Sequence, residues 1–359
     1  MYPEKTGILA VDAQTMEISS SRFPQYLITM KPIAVIILNW NGEKLLREFL
    51  PSVCRYTPEN IADIIVADNG STDASVPLLK EKFPRVRLLE LGKNYGFAEG
   101  YNRAIGSLDY PYVVLLNSDV EVSENWLPPL YEYCETHTDV AACQPKIRSY
   151  WNKEYFEYAG ASGGYLDKYG FPFCRGRIFN TIEKDNGQYD NNTDIFWATG
   201  ACLFIRTEIY KKAGGLDKEF FAHMEEIDLC WRVLLLGKRI AVVPQSIVYH
   251  LGGATLSASN PRKTYLNFRN NLLMLYKNLP RKEGKKILFF RRLYDTAALF
   301  KFLLSGKTRD AKAIWDAHND FRKMSKRYVH QPQKNLLNSF PEGKRNLTWN
   351  YFLKGKKTF

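Results

Sequence analysis

Four times within its first 119 residues the chain runs through a short apolar stretch and then breaks into small polar residues. Residues 33–38 lead to Asn39, Trp40, Asn41 and Gly42, and residues 64–67 lead to Asp68, Asn69, Gly70 and Ser71. Residues 86–91 lead to Lys93, Asn94, Tyr95 and Gly96, and residues 112–116 to Asn117, Ser118 and Asp119. Stretches with helical spacing lie between these runs, at 44–56, 75–82 and 98–107. Short apolar runs alternating with amphipathic helices predict an α/β fold, a Rossmann-like, mostly parallel sheet flanked by helices. In such sheets ligands bind beyond the carboxyl ends of the strands, and all four polar loops fall on that edge.

The remainder is less regular. Residues 1–29 carry no sustained period and read as an N-terminal extension, with the α/β domain spanning 30–280. Strands are expected at 195–206 and 239–243, with a helix at 225–236 ended by Gly237, and this half should complete the acceptor side of the cleft. Helical patterns follow at 265–278 and 285–304, and the chain then loosens into a tail rich in lysine and aromatic residues.

The net charge of +12 is concentrated at one end, because residues 281–359 hold 20 Lys and Arg against 6 Asp and Glu. A near-neutral body with a basic, amphipathic helical C-terminal region predicts docking to an anionic surface, phospholipid or nucleic acid, a solvated basic face being the plainer alternative. The six cysteines make no C-x-x-C spacing and read as reduced packing residues. No apolar run approaches the roughly 20 residues that span a bilayer, and no signal-peptide pattern opens the chain. A cytoplasmic protein is expected.

Asp119 ends the fourth apolar run, so a strand delivers its carboxylate to the rim. Hard cations that accompany diphosphates take such oxygen ligands, with phosphate oxygens and water completing the shell. A turn or helix-capping Asp looks the same in isolation, but three neighbouring polar loops favour the metal. Asn117 can touch a ribose or the metal's water shell. Asp68, beside Gly70, can accept from a pyrimidine ring N–H and so select uracil or thymine. Lys93, Asn94 and Asn102, around Gly96 and Gly100, make a close-backbone loop with polar side chains. Glu225, Glu226 and Asp228 fall in the first turn of a helix, where the macrodipole keeps carboxylates ionised and able to accept a proton. Asp228 and Arg232 have the spacing of an i,i+4 ion pair, which leaves Glu225 or Glu226 as a base. His250, after a second-half strand, is a candidate imidazole ligand or phosphate contact.

With these segments assembled, residues 32–278 resemble the family 2 glycosyltransferases of the GT-A fold, most of all the bacterial rhamnosyltransferase branch. The matching segments are VIILNWNG at 35–42, VADNGSTD at 66–73, KNYGFAEGYN at 93–102 and LLNSD at 115–119. ATGACLFIR at 198–206, GGLDKEFF at 214–221, EEIDLCWR at 225–232 and His250 follow in the same order. The resemblance implies that Asn39 and Asp68 hold the base, and that Asn94, Asn102, Asn117 and Trp197 line the nucleotide-sugar pocket. It makes Asp119 the metal-binding residue of a D-x-D-type motif, His250 a second metal ligand and Glu226 the general base. Glu226 stands where the family pattern has Asp, so Glu225 and Asp228 remain alternatives. Asn117 opens the D-x-D motif, so fewer protein charges would hold the metal.

The implied activity is an inverting transfer, dependent on Mg²⁺ or Mn²⁺. It would move rhamnose or another hexose from a dTDP- or UDP-sugar to a hydroxyl of a glycan or lipid-linked acceptor. The setting implied is bacterial surface polysaccharide synthesis, with the enzyme peripheral on the inner face of the cell membrane and no nucleic-acid partner. A nucleotidyltransferase would want a Gly-rich basic loop in place of residues 39–42, and a nicotinamide oxidoreductase would want G-x-G-x-x-G there. A non-catalytic membrane- or nucleic-acid-binding adaptor would leave the acidic cleft without a purpose.

Overall fold

The computed structural model describes residues 31–252, 260–329, 332 and 334–359, so the expected N-terminal extension lies outside the described residues. The first half alternates as its periodicity predicts: β1 (Ile33–Asn39), α1 (Glu43–Tyr56), β2 (Ala62–Asp68), α2 (Ser75–Lys82), β3 (Arg87–Glu90), α3 (Gly96–Gly106) and β4 (Tyr112–Leu116). Then come β5 (Val120–Val122), α4 (Pro128–Thr136), β6 (Val140–Ser149), β7 (Gly164–Leu166), β8 (Pro172–Cys174), β9 (Arg177–Ile178) and β10 (Thr181–Ile182). β11 (Thr193–Asp194), β12 (Cys202–Arg206), α5 (Thr207–Lys212), α6 (Glu225–Leu235) and β13 (Arg239–His250) complete the α/β region. The C-terminal part holds α7 (Pro261–Asn278), α8 (Arg281–Leu304), α9 (Thr308–Met324) and α10 (Leu347–Phe352).

The main sheet runs in the order β11-β13-β6-β12-β4-β1-β2-β3, with β5 paired to β13. Strands β3, β2, β1 and β4 are parallel neighbours, while β12 runs antiparallel between β4 and β6. Successive side chains of a strand point to opposite faces, and β1 buries both. Ala34 and Ile36 pack with α3 residues such as Tyr101 and Ala104. Ile33, Val35 and Ile37 pack with Leu46 and Leu50 of α1 and Leu130 of α4. With both faces sealed, polar groups can reach solvent only at the strand ends.

Three expectations need correction. Residues 195–206 do not form one strand: β11 and β12 are separated by a stretch in which Trp197 makes an isolated bridge to Gly164. β13 does not stop at Val243 but passes Pro244 through an irregularity in its pairing with β6 and runs on to His250. Proline is tolerated at such breaks because no ladder donor is needed there. The C-terminal tail does not simply loosen, since α9 and α10 are helices. A small antiparallel sheet, β10-β9-β8-β7, was not anticipated either.

Residues 31–359 form one compact body. Buried Arg291 on α8 bonds Asn271 of α7 and Asp295, and Asp295 also meets His318 of α9 at 3.0 Å. Asp167, with no exposed surface, accepts the backbone N–H groups of Tyr169, Phe171 and, 180 positions along the chain, Leu347. Burial pushes its carboxyl up, and these N–H groups pull it partly back. Asp167→Ala leaves three donors without their acceptor and is expected to lower the unfolding free energy by about 3 kcal/mol in a urea titration. A loss below about 0.5 kcal/mol would deny this latch any structural weight.

Candidate active site

The cleft is assembled from strand ends. Asn39 and Asp68 are paired in register across β1 and β2. Asn39 Nδ2 donates to Asp68 Oδ1 at 3.1 Å and to Ser71 Oγ at 3.1 Å, while Ser71 N donates to Asp68 Oδ2 at 2.9 Å. Both side chains are buried, and Asn39 Oδ1 has no partner among the described residues. An orphan acceptor beside a carboxylate with spare lone pairs is a surface prepared for donors such as a pyrimidine N–H. The next loop is tied in by Asn69, which the sequence reading did not single out. Its Nδ2 donates to Asn94 Oδ1 and Gly96 O, and its Oδ1 accepts from Tyr95 N at 3.0 Å. Gly70 makes this possible, because its φ is +75° and a Cβ there would lie 2.5 Å from Lys93 Cα.

Asp119 and His250 are brought together by the extension of β13. His250 pairs with Val120 of β5, and Leu251 N donates to Asp119 O at 3.0 Å. His250 Nε2 stands 3.2 Å from Asp119 Oδ1, and its Nδ1 stands 3.4 Å from Glu157 Oε2. All three residues are buried. Burial lowers the imidazole pKa, but hydrogen bonding and charge from Asp119 and Glu157 outweigh it and hold the group up at about 10. Glu157 has no counterpart among the residues expected from sequence. It lies in an irregular stretch where neither period nor motif points to it.

These residues fit a divalent cation once His250 gives up its proton, since a ligating imidazole is neutral. Ligands at adjacent corners of an octahedral ion lie about 3 Å apart, given bonds of about 2.1 Å, close to the Asp119–His250 spacing. Ligating imidazoles typically turn their other nitrogen to a carboxylate, as His250 does toward Glu157. Among the described residues no group of three or more such side chains gathers to hold a metal. Protein would thus supply two ligands, and a diphosphate and water the rest.

The candidate base enters from α6. Met224 is the left-handed residue preceding the helix, and Glu225, Glu226 and Asp228 fill its first turn. Glu226 lies over Gly200, where a Cβ would sit 3.7 Å from Glu226 Cβ and 3.6 Å from Phe97 Cζ. The Ala201 carbonyl next to Gly200 accepts from Asn117 N, so the Glu226 site adjoins the Asn117–Asp119 loop. Glu226 is partly exposed, yet its Oε2 is buried without a partner among the described residues. Burial pushes its carboxyl up to about 7, against the backbone N–H groups at the helix start. Glu225 is buried, and its carboxyl too is held well above the ordinary range, by burial and then by the charge of Glu226.

Three of the expected site residues are engaged in structural contacts. Asp228 is a structural ion, bonded to Arg232, Lys277 and Asn278 and held below the ordinary carboxylate range despite its burial. Its pairing with Arg232 has the expected i,i+4 spacing. Asn102 spends its amide on Leu216 O, Leu216 N and Tyr210 Oη, pinning the turn before α6. Trp197 is a core residue, its indole N–H donating to Tyr165 O and its ring filling the space over Gly164. Asn94 stays on the exposed rim, with Oδ1 taken by Asn69 and Gly96 N. Asn117 is half-buried beside Asp119.

The two-faced α/β sheet thus carries at its strand ends a buried Asn39–Asp68 pair and an adjacent Asp119–His250 pair, with the raised carboxyl of Glu226 near by. The model of the family "Glycosyl transferase family 2" matches residues 34–214, and the chain belongs to that family. It is 25% identical over 232 residues to the N-acetylglucosaminyl-diphospho-decaprenol L-rhamnosyltransferase of Mycobacterium tuberculosis, covering 61% of this chain and 75% of that one. It is 24% identical to rhamnosyltransferase WbbL of Escherichia coli K12, covering 70% and 93% of the two chains. Among solved structures it resembles GalNAc-T7 with UDP, GalNAc and Mn²⁺, at a TM-score of 0.52 and 17% identity. That match covers 70% of this chain and only 48% of GalNAc-T7. The fold is of the GT-A type, and the rhamnosyltransferases are among its sequence relatives.

Proposed function

We propose that this glycosyltransferase moves a hexose, rhamnose among the candidates, from a dTDP- or UDP-sugar to a hydroxyl of a diphosphate-lipid-linked glycan. The observation that carries this is the grouping of Asn39 and Asp68, Asp119 and His250, and Glu226 along one sheet edge. Asn39 and Asp68 receive the pyrimidine. Asp119 and His250 would hold a divalent cation, which would supply charge neutralisation at the departing diphosphate. With a nitrogen among the ligands, Mn²⁺ suits the pair better than Mg²⁺, which prefers all-oxygen shells. Glu226 takes the proton of the acceptor hydroxyl as its oxygen attacks the anomeric carbon. The bond from that carbon to the diphosphate oxygen breaks, and the oxygen keeps the electron pair. One displacement inverts the configuration, and no covalent nucleophile is needed.

Support for the acceptor comes from two features and one relative. The M. tuberculosis relative is named for a diphospho-decaprenol acceptor. A cavity of about 530 Å³ between α7 and α9 is lined by Arg262, Arg309, Lys312, Lys323, Asp316 and Asp320. The two lysines are paired with the two aspartates. Arg262 and Arg309 have no carboxylate partner among the described residues, and guanidinium forks match phosphate oxygens. Arg262 also lies over the ring of Phe221, near the start of α6. The second feature is α8, whose polarity is inverted. Its buried face carries Arg291 and Asp295, while Phe289, Leu293, Phe300 and Leu304 are exposed, Leu304 by 90%. With the local excess of Lys and Arg, such a face suits the interface of an anionic bilayer, where a lipid-linked acceptor resides. No described helix is long and apolar enough to cross a membrane.

Three measurements test this. In Glu226→Gln, kcat should fall by about 10²-fold or more with UDP affinity retained. The native enzyme's kcat/KM should decline as pH falls below about 7, because protonation of a carboxyl raised to that value removes the base. That limb should vanish from the residual activity of Glu226→Gln, and near-normal turnover would reject Glu226 as the base. By calorimetry, Mn²⁺ should tighten UDP or dTDP binding to the native protein and leave Asp119→Ala unaffected; an equal gain in both would remove Asp119 from the metal site. In flotation with phosphatidylglycerol vesicles, a Phe289→Ser/Leu293→Ser/Phe300→Ser variant should bind much less than native protein, whereas equal binding would dismiss the α8 face.

A further inference from the structure

The segment that delivers Glu226 is strained and is held from one side. Phe221 has φ +66° and ψ −58°, and Ala222 N donates to Phe220 O at 2.8 Å. This is the rare γ-turn form, which side chains disfavour. His223 and Met224 follow with φ of +69° and +71°. Three non-glycine residues with positive φ within four positions persist only if their surroundings over-determine them. Asn270, in the middle of α7 and fully buried, supplies that constraint. Its Nδ2 donates to Phe220 O at 2.9 Å, Ala222 O at 2.8 Å and His223 O at 2.7 Å. Its Oδ1 accepts from Arg269 Nε at 2.8 Å, which fixes the amide the right way round. Arg269 Nη2 donates to Glu219 O and Phe220 O. Met224 O then receives Asp228 N in the first turn of α6.

We propose that Asn270, backed by Arg269, is a positioning residue for transfer. It gathers the carbonyls of residues 220–223 so that the chain reverses and the first turn of α6 presents Glu226 over Gly200. It touches neither donor nor acceptor. The proposal rests on Glu226 as the base, and the test separates the two. Only an amide can face three acceptors with two hydrogens and still accept from a guanidinium. Alanine removes both functions, and aspartate turns an oxygen toward the carbonyls.

Asn270→Ala and Asn270→Asp should lower kcat by about 10²-fold, with donor KM and UDP affinity changed by no more than about two-fold, because Asn39, Asp68 and Asp119 keep their places. The acid limb of the pH profile should shift, reporting a moved Glu226. Adding His223→Gly to Asn270→Ala should recover part of kcat, since glycine adopts positive φ without the steric cost. Should Asn270→Ala not fold, Asn270→Ser, which retains one donor, carries the same expectations. Unchanged kcat in a folded variant, or loss of kcat and UDP affinity together without rescue by His223→Gly, would overturn the proposal. Normal turnover in Glu226→Gln would instead remove the base assignment on which it stands.

Discussion

Burial of the central sheet on both faces is the constraint from which the rest follows. Once α1 and α4 cover one side of β1 and β4, and α3 the other, a polar side chain inside these strands has no solvent and no partner. Asn39, Asp68 and Asp119 therefore appear where the strands end. Each polar group there is further committed by its neighbours, as Asn39 is by Asp68 and Ser71.

That logic explains what could be read from the chain. β1, β2 and β4 and the loops after them were legible because apolar runs punctuated by Asn, Asp and Gly leave few alternatives. Asp228 was half-legible: its i,i+4 spacing to Arg232 pointed to a structural ion, while its place in an acidic first turn pointed to catalysis. Asn102 closes one motif and Trp197 precedes another, and only tertiary packing, against the turn at Leu216 in one case and Gly164 in the other, reveals their structural duties. Glu157 was invisible, since its role comes from the return of β13, 93 positions later, to place His250 beside it.

The C-terminal helices illustrate another limit. The buried residues of α9 are Ala311, Ala313, Ile314 and Ala317, three of them alanines that stand out little as an apolar stripe in the sequence. α8 is harder still, because Phe289, Leu293, Phe300 and Leu304 are exposed while its Arg291–Asp295 ion pair is buried beside Ile287. Amphipathicity read from composition would assign the wrong side of that helix to the core. The polar network of Asn271, Arg291, Asp295 and His318 decides its orientation.

The order of strands in the main sheet also bears on how the chain acquires its shape. β6 lies between β12 and β13, both of which follow it by more than 50 residues, and β4 also awaits β12 on its outer side. During synthesis the β3-β2-β1-β4 half can close early, while β6 and the open side of β4 must remain unpaired until residues 202–250 are available. Non-local pairing of this kind is slow and leaves strand edges exposed to other chains. The same late strands carry the β12 neighbour of Gly200 and the His250 end of β13, so the metal-type pair can form only at the last step of sheet closure.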